Sequence, residues 1–131
     1  MKPQFLTVDD VVELHRQSID LYGGRDGLRD GGLLESAVLA PQQTFRGEFL
    51  YESLSQMAAA ILHGLVQNHP FVDGNKRTGL RAADVFLAIN RVNLAAPSKE
   101  ATDWTLAVAK GEMSREELAV LFSRHVEPIS E

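Results

Sequence analysis

Between His69 and Arg77 the chain places a base, a carboxylate, a glycine and two cations within nine residues: His69-Pro70-Phe71-Val72-Asp73-Gly74-Asn75-Lys76-Arg77. His69 can accept a proton. Asp73 can hold Mg²⁺, which is bound by one or two carboxylates together with phosphate oxygens. Gly74 lets backbone approach a ligand closely. A helix that begins just after it offers unpaired N–H groups and the positive end of a dipole, and both favour an anion. Lys76 and Arg77 fall in the first turn of that helix. They carry the wrong sign for a helix N-terminus unless something negative is bound there. Base, metal ligand and anion cradle are the parts that phosphoryl or nucleotidyl transfer requires.

Each residue also has a plain structural reading. Asp73 alone reads as a helix cap. His69 alone reads as a structural histidine with a satisfied ring. Lys76 and Arg77 alone read as solvated charges. It is the combination that favours a phosphate site, and short motifs have real false positives.

The elements that must hold this stretch are helices. Thr7 with Asp10 makes a capping-box-like start, and Val8, Val11, Val12, His15 and Ile19 recur on one face until Gly23-Gly24. A turn-rich stretch, Arg25 to Asp30, leads to a short helix over about 31–40, ended by Pro41. Gln42 to Leu50 has no helical period and reads as a loop or weak hairpin around Arg46-Gly47. A long apolar helix follows through Leu54, Met57, Ile61 and Leu65, and its Ala58-Ala59-Ala60 run admits a close neighbour. His69-Pro70-Phe71 breaks it. The next helix runs from about Asn75 to Asn90, with an apolar face wide enough for a buried position. Ser98 opens another that ends at Gly111. Ser114 with Glu117 caps a last one, expected to reach about Val126. The fold class is all-α: a compact bundle of about six helices with a short flap loop or hairpin and little or no sheet. His63 and Trp104 read as packing residues, and His15 and His125 lack the spacing of a zinc site.

Bulk properties agree. The 131 residues suit one domain, taken as 1–131. The absence of cysteine excludes disulfides and Cys-based zinc sites. A net charge of −5 argues against general nucleic-acid binding, which needs a basic face. No signal-peptide core follows Met1, and no apolar run is long enough for a membrane span, so a cytoplasmic protein is expected.

The central stretch resembles the Fic motif, whose usual pattern is His-x-Phe-x-Asp/Glu-Gly-Asn-Gly-Arg-x-x-Arg. His69, Phe71, Asp73, Gly74, Asn75 and Arg77 match it. Lys76 replaces the second glycine, and Leu80 stands where the second arginine belongs, with Arg81 one place late. Both departures are those of the Doc branch, the death-on-curing toxins, which read His-x-Phe-x-Asp-x-Asn-Lys-Arg-Thr. Tyr22-Gly23-Gly24 and Arg29-Asp30-Gly31-Gly32-Leu33-Leu34-Glu35-Ser36-Ala37 also look like that branch.

The resemblance implies roles residue by residue. His69 is the base for a target hydroxyl and Asp73 the Mg²⁺ ligand. Gly74 and Asn75 line the phosphate loop, and Lys76 and Arg77 contact phosphates. It implies the toxin of a toxin–antitoxin pair: a kinase that uses ATP and Mg²⁺ to phosphorylate a threonine of elongation factor Tu. AMP transfer, the reaction of most Fic proteins, is the alternative, and a noncatalytic binding module is a second. A flap at Gln42–Leu50 is expected to border the site and dock an extended target segment. The Ser/Thr-x-x-x-Glu-Gly/Asn pattern of an inhibitory helix fails at both places with the right spacing, Thr44–Glu48 and Ser123–Glu127, because Phe49 and Pro128 follow. Inhibition in cis is therefore unsupported, and the resemblance to the Doc branch implies a separate antitoxin that supplies the inhibitory segment in trans.

Overall fold

A computed structural model describes residues 2–129. Six helices make up most of it. Helix α1 (Val8–Tyr22) starts at the capping box between Thr7 and Asp10 and stops at Gly23, whose φ of 80° few other residues tolerate. Its buried residues are Val11, His15 and Ser18, while Val12 is 41% exposed. The apolar stripe is thus rotated from the one expected, toward Leu14 and Ser18.

Asp30 caps α2 (Gly31–Leu39), and a 3-10 turn over Ala40–Gln42 takes up Pro41. The expected hairpin is real. Strands β1 (Thr44–Phe45) and β2 (Glu48–Phe49) pair antiparallel, and Arg46 and Gly47 between them both have positive φ, the twist that a two-residue hairpin favours.

Helix α3 (Leu54–Asn68) is the axis of the molecule. It opens on a capping box of Ser53 with Gln56 and is buried from Met57 through Leu62. Four other helices pack around it: α2, α4 (Asn75–Ile89), α5 (Ser98–Ala109) and α6 (Arg115–Ser123). Small residues set the spacing. A methyl group on Gly64 would lie 3.1 Å from the Ala37 Cβ, and one on Gly79 only 2.9 Å from a Val66 methyl.

The end of the chain differs from expectation. Helix α6 stops at Ser123, short of Val126, and the chain turns into a strand, β4 (Val126–Pro128). This pairs antiparallel with β3 (Val92–Leu94), with Asn93 opposite Glu127. Three residues of alternating pattern are too few to signal a strand, and Pro128, which has no N–H, sits at the end of the ladder. The first and last parts of the described stretch are both fastened here. Gln4 and Asn90 exchange two hydrogen bonds of 2.8 and 2.9 Å, and the Ile129 N–H donates to the Arg91 carbonyl. Among the described residues no helix is long and apolar enough to cross a membrane.

Candidate active site

The loop 69–74 joins the C-terminal end of α3 to the N-terminal end of α4, and two layers of backbone bonding shape it. His69 caps α3 in the left-handed conformation, φ 51° and ψ 54°, because Pro70 disfavours the helical one. That conformation costs a non-glycine residue roughly 1–2 kcal/mol. Arg29 offsets it by donating from Nε to the His69 carbonyl (2.7 Å) and from Nη2 to the Asn68 carbonyl (2.8 Å). The backbone of the same segment runs antiparallel to the loop. Arg29 and Asp30 donate to the Pro70 carbonyl, Val72 donates to the Gly27 carbonyl, and Leu28 faces Phe71. Residues 27–30 thus form a strap across the base of the loop.

The second layer lies inside the loop. Asn75 takes both main-chain groups of Phe71. Its Oδ1 accepts from the Phe71 N–H at 3.0 Å, and its Nδ2 donates to the Phe71 carbonyl at 2.9 Å. Phe71 is 2% exposed, and its ring lies flush on His15. The carboxamide of Asn75 therefore builds the loop, and what Asn75 offers the cleft is its backbone N–H at the first turn of α4.

Asp73 does not cap α4. The cap position is Gly74, at φ 80°, with no side-chain capping bond. The Asp73 carboxylate turns instead toward the end of α1, where Oδ2 accepts from the Arg25 N–H at 3.1 Å and Oδ1 from the Gly74 N–H at 2.9 Å. Those two N–H groups, aided by Arg77 and Lys76, hold its carboxyl below the usual carboxylate range. Arg77 donates from Nη2 to the Gly23 carbonyl and stacks over the Tyr22 ring. Gly24 is required where these groups meet. Its φ is 114°, and a Cβ there would lie 2.8 Å from Asp73 Oδ2 and 3.3 Å from Arg77 Nη2. Lys76 is exposed, with no hydrogen bond or ion pair among the described residues.

His69, Asp73, Gly74, Asn75, Lys76 and Arg77 all line one cleft of about 470 Å³, closed by Val66 and Ala109. The six residues selected from the sequence thus converge. A wider hollow of about 670 Å³ between α1 and α4 shares the Arg77 wall. Another, of about 410 Å³, lies between the start of α3 and α6, around Tyr51 and Val120. Neither holds a comparable set of base, carboxylate and cations, so the chemistry singles out the cleft.

The expected flap lies elsewhere. The hairpin β1–β2 precedes the N-terminal end of α3, and the site is at its C-terminal end, about 22 Å away along a 15-residue helix. Phe49 packs on Phe5, which stacks on Phe86 near the far end of α4. The backbone that borders the site is residues 23–30. In the sequence that segment reads as a turn, and its glycines and the Arg29-Asp30 pair are the available signal.

Residues 5–87 match the Fic/DOC family. The chain is 52% identical over 75 residues to a protein of Mycolicibacterium smegmatis called Toxin Doc, across 57% of this chain and 58% of that one. It is 33% identical over 109 residues to a protein of Escherichia phage P1 called Protein kinase doc, across 83% of this chain and 85% of that one.

Proposed function

The chain belongs to the Fic/DOC family, and from that premise we propose that it is the toxin of a toxin–antitoxin pair, a Doc-type protein kinase that moves the γ-phosphoryl group of ATP to a threonine or serine hydroxyl. The observation that carries this reading is Lys76 at the mouth of a cleft that also holds His69, Asp73 and Arg77. A lysine in place of the small glycine of AMP-transferring relatives fills space that the β-phosphate would need in their orientation of ATP. The terminal phosphoryl group is then the one presented.

The donor set fits Mg²⁺. No cluster of three or more metal-binding side chains exists among the described residues. Mg²⁺ needs no such cage, since one carboxylate, water and phosphate oxygens hold it. Asp73 is exposed, and each of its oxygens accepts one backbone N–H, which leaves lone pairs free. When bound, the metal neutralises phosphate charge. The N-terminal end of α4 and the side chains of Lys76 and Arg77 attract the phosphates. His69 takes the proton of the target hydroxyl as its oxygen bonds to the γ-phosphorus, and the bond to ADP breaks.

The proposal extends to the setting of the reaction. Residues 1–131 form one Fic/Doc domain that works in the cytoplasm on a translation factor, elongation factor Tu by resemblance. An antitoxin inhibits it in trans. One observation favours AMP transfer instead: no partner among the described residues fixes Lys76, so its ammonium is free to leave the space it would block. Mass spectrometry of a target incubated with protein, ATP and Mg²⁺ tests the proposal. A gain of one phosphate is expected, and Lys76→Gly should reduce it. An adenylyl group on the target would establish the other reaction.

A further inference from the structure

We propose that His15, on the buried face of α1, is a positioning residue that sets the Asp73 carboxylate through the peptide bond between Asp73 and Gly74. The inference rests on the reading of Asp73 as the metal ligand. His15 is 2% exposed. Its ring lies parallel to Phe71, 3.8 Å between centroids and 4° between planes. Its Nε2 is 2.8 Å from the Asp73 carbonyl oxygen. A carbonyl only accepts, so Nε2 carries the hydrogen. The Nδ1 atom lies 3.8 Å from Asp26 Oδ1, too far for a hydrogen bond.

Packing alone does not account for an imidazole here. A hydrocarbon ring would fill the same space beside Val11 and Phe71 without a polar group to desolvate. The Asp73 carbonyl and the Gly74 N–H are opposite ends of one planar peptide unit. His15 holds the carbonyl end, and the N–H end donates to Asp73 Oδ1. Fixing the plane thus fixes one carboxylate oxygen, while the Arg25 N–H fixes the other. The ring also borders Gly74, where an added Cβ would stand at ordinary contact distance, 3.6 Å, from His15 Cδ2 and Nε2. Without the Nε2 donor the peptide is free to turn, and the Gly74 N–H leaves the carboxylate.

Two variants separate donor from ring. His15→Phe keeps the stack and loses the donor. His15→Gln keeps an N–H donor and loses the stack. The readout is the Mg²⁺ concentration that half-saturates ATP binding, measured by calorimetry beside thermal melting, with Asp73→Ala as reference. Loss of an outer-shell partner typically weakens metal affinity about 10–100-fold. His15→Phe should raise the half-saturating Mg²⁺ about tenfold without weakening metal-free ATP binding, and His15→Gln should raise it less. A His15→Phe variant with the wild-type Mg²⁺ response overturns the proposal. If that variant does not fold, ¹⁵N imidazole shifts of the wild-type protein still decide, because an Nδ1–H tautomer of His15 overturns it. Unchanged metal dependence in Asp73→Ala would instead sink the reading of Asp73 on which the inference stands.

Discussion

A histidine in left-handed backbone, stretched between α3 and a proline and pinned by an arginine, is held where few sequences would leave one. Strain of that kind persists only where surrounding bonds enforce it, and it concentrates at functional sites. The His69 side chain is exposed to the cleft and makes no phosphate cradle of its own. His69→Ala should therefore lower transfer about 10²–10⁴-fold, the usual worth of a general base, with ATP affinity close to wild type. A kinetic assay run beside a binding titration checks both halves, and near-normal transfer would remove His69 from the mechanism. At this scale the sequence was informative where a residue's type is itself the chemistry: base, carboxylate and cations. It was silent where a residue acts through bonds to distant backbone. Arg29 and His15 lie 40 and 58 positions from the main-chain groups they hold, and no local pattern marks such a pairing. Asn75 shows the intermediate case, placed correctly beside the cleft but with its carboxamide spent on Phe71.

The helices repeat the lesson with a different balance. The starts at Thr7 and Ser114 were legible, because each accepts a bond from a backbone N–H three positions on, as Asp30 and Ser53 also do without having been marked in the sequence. The end of α6 was not, because Val126–Pro128 leaves the helix only by pairing with β3, more than thirty residues earlier. The flap was legible as a hairpin and misplaced as part of the site, since its position depends on the length of α3. Close packing of α3 on α4 gives a direct test. Gly79→Ala gains about 1 kcal/mol of helix propensity but forces a methyl against Val66 and the Leu62 carbonyl, and overpacking costs about 1–3 kcal/mol. Net destabilisation of about 1 kcal/mol is expected from urea unfolding, and a stabilised variant would show that the helices can part. His63, half-buried on α3, tests the other flank. Burial, then the nearby Arg115, hold its imidazole below the ordinary histidine value. A lowered histidine pKa means that the unfolded chain binds the proton more readily. Folding then bears no cost above the ordinary value, and the cost grows as pH falls through it. Wild-type stability should fall from about pH 7 to about pH 5 more steeply than that of His63→Gln, and parallel curves would show that the site does not titrate with folding.

The whole molecule is an apolar bundle with its chemistry at one pole. The core around Met57, Leu62, Leu65, Phe86 and Phe122 is built of fully buried apolar side chains. Chelation should accordingly leave the melting temperature within about 2 °C of its original value while Mg²⁺-dependent ATP binding disappears. A large drop in melting temperature on adding chelator would point to a structural metal. Fold class, and the convergence of six residues on one cleft, were legible because periodicity and a dense motif report on contiguous sequence. The strap over 27–30 was not, because its strand character exists only against Pro70–Val72. The fastening of Gln4 and Ile129 beside Asn90 and Arg91 matters for anyone who tethers the protein. Those anchors sit at the C-terminal end of α4 and the cleft at its N-terminal end, about 22 Å apart along 15 residues. An affinity handle or a surface linker joined at Gln4 or Ile129 leaves from the pole opposite the cleft. Two dyes placed at those two residues would start as neighbours, so their separation would report unfolding and ignore events in the cleft.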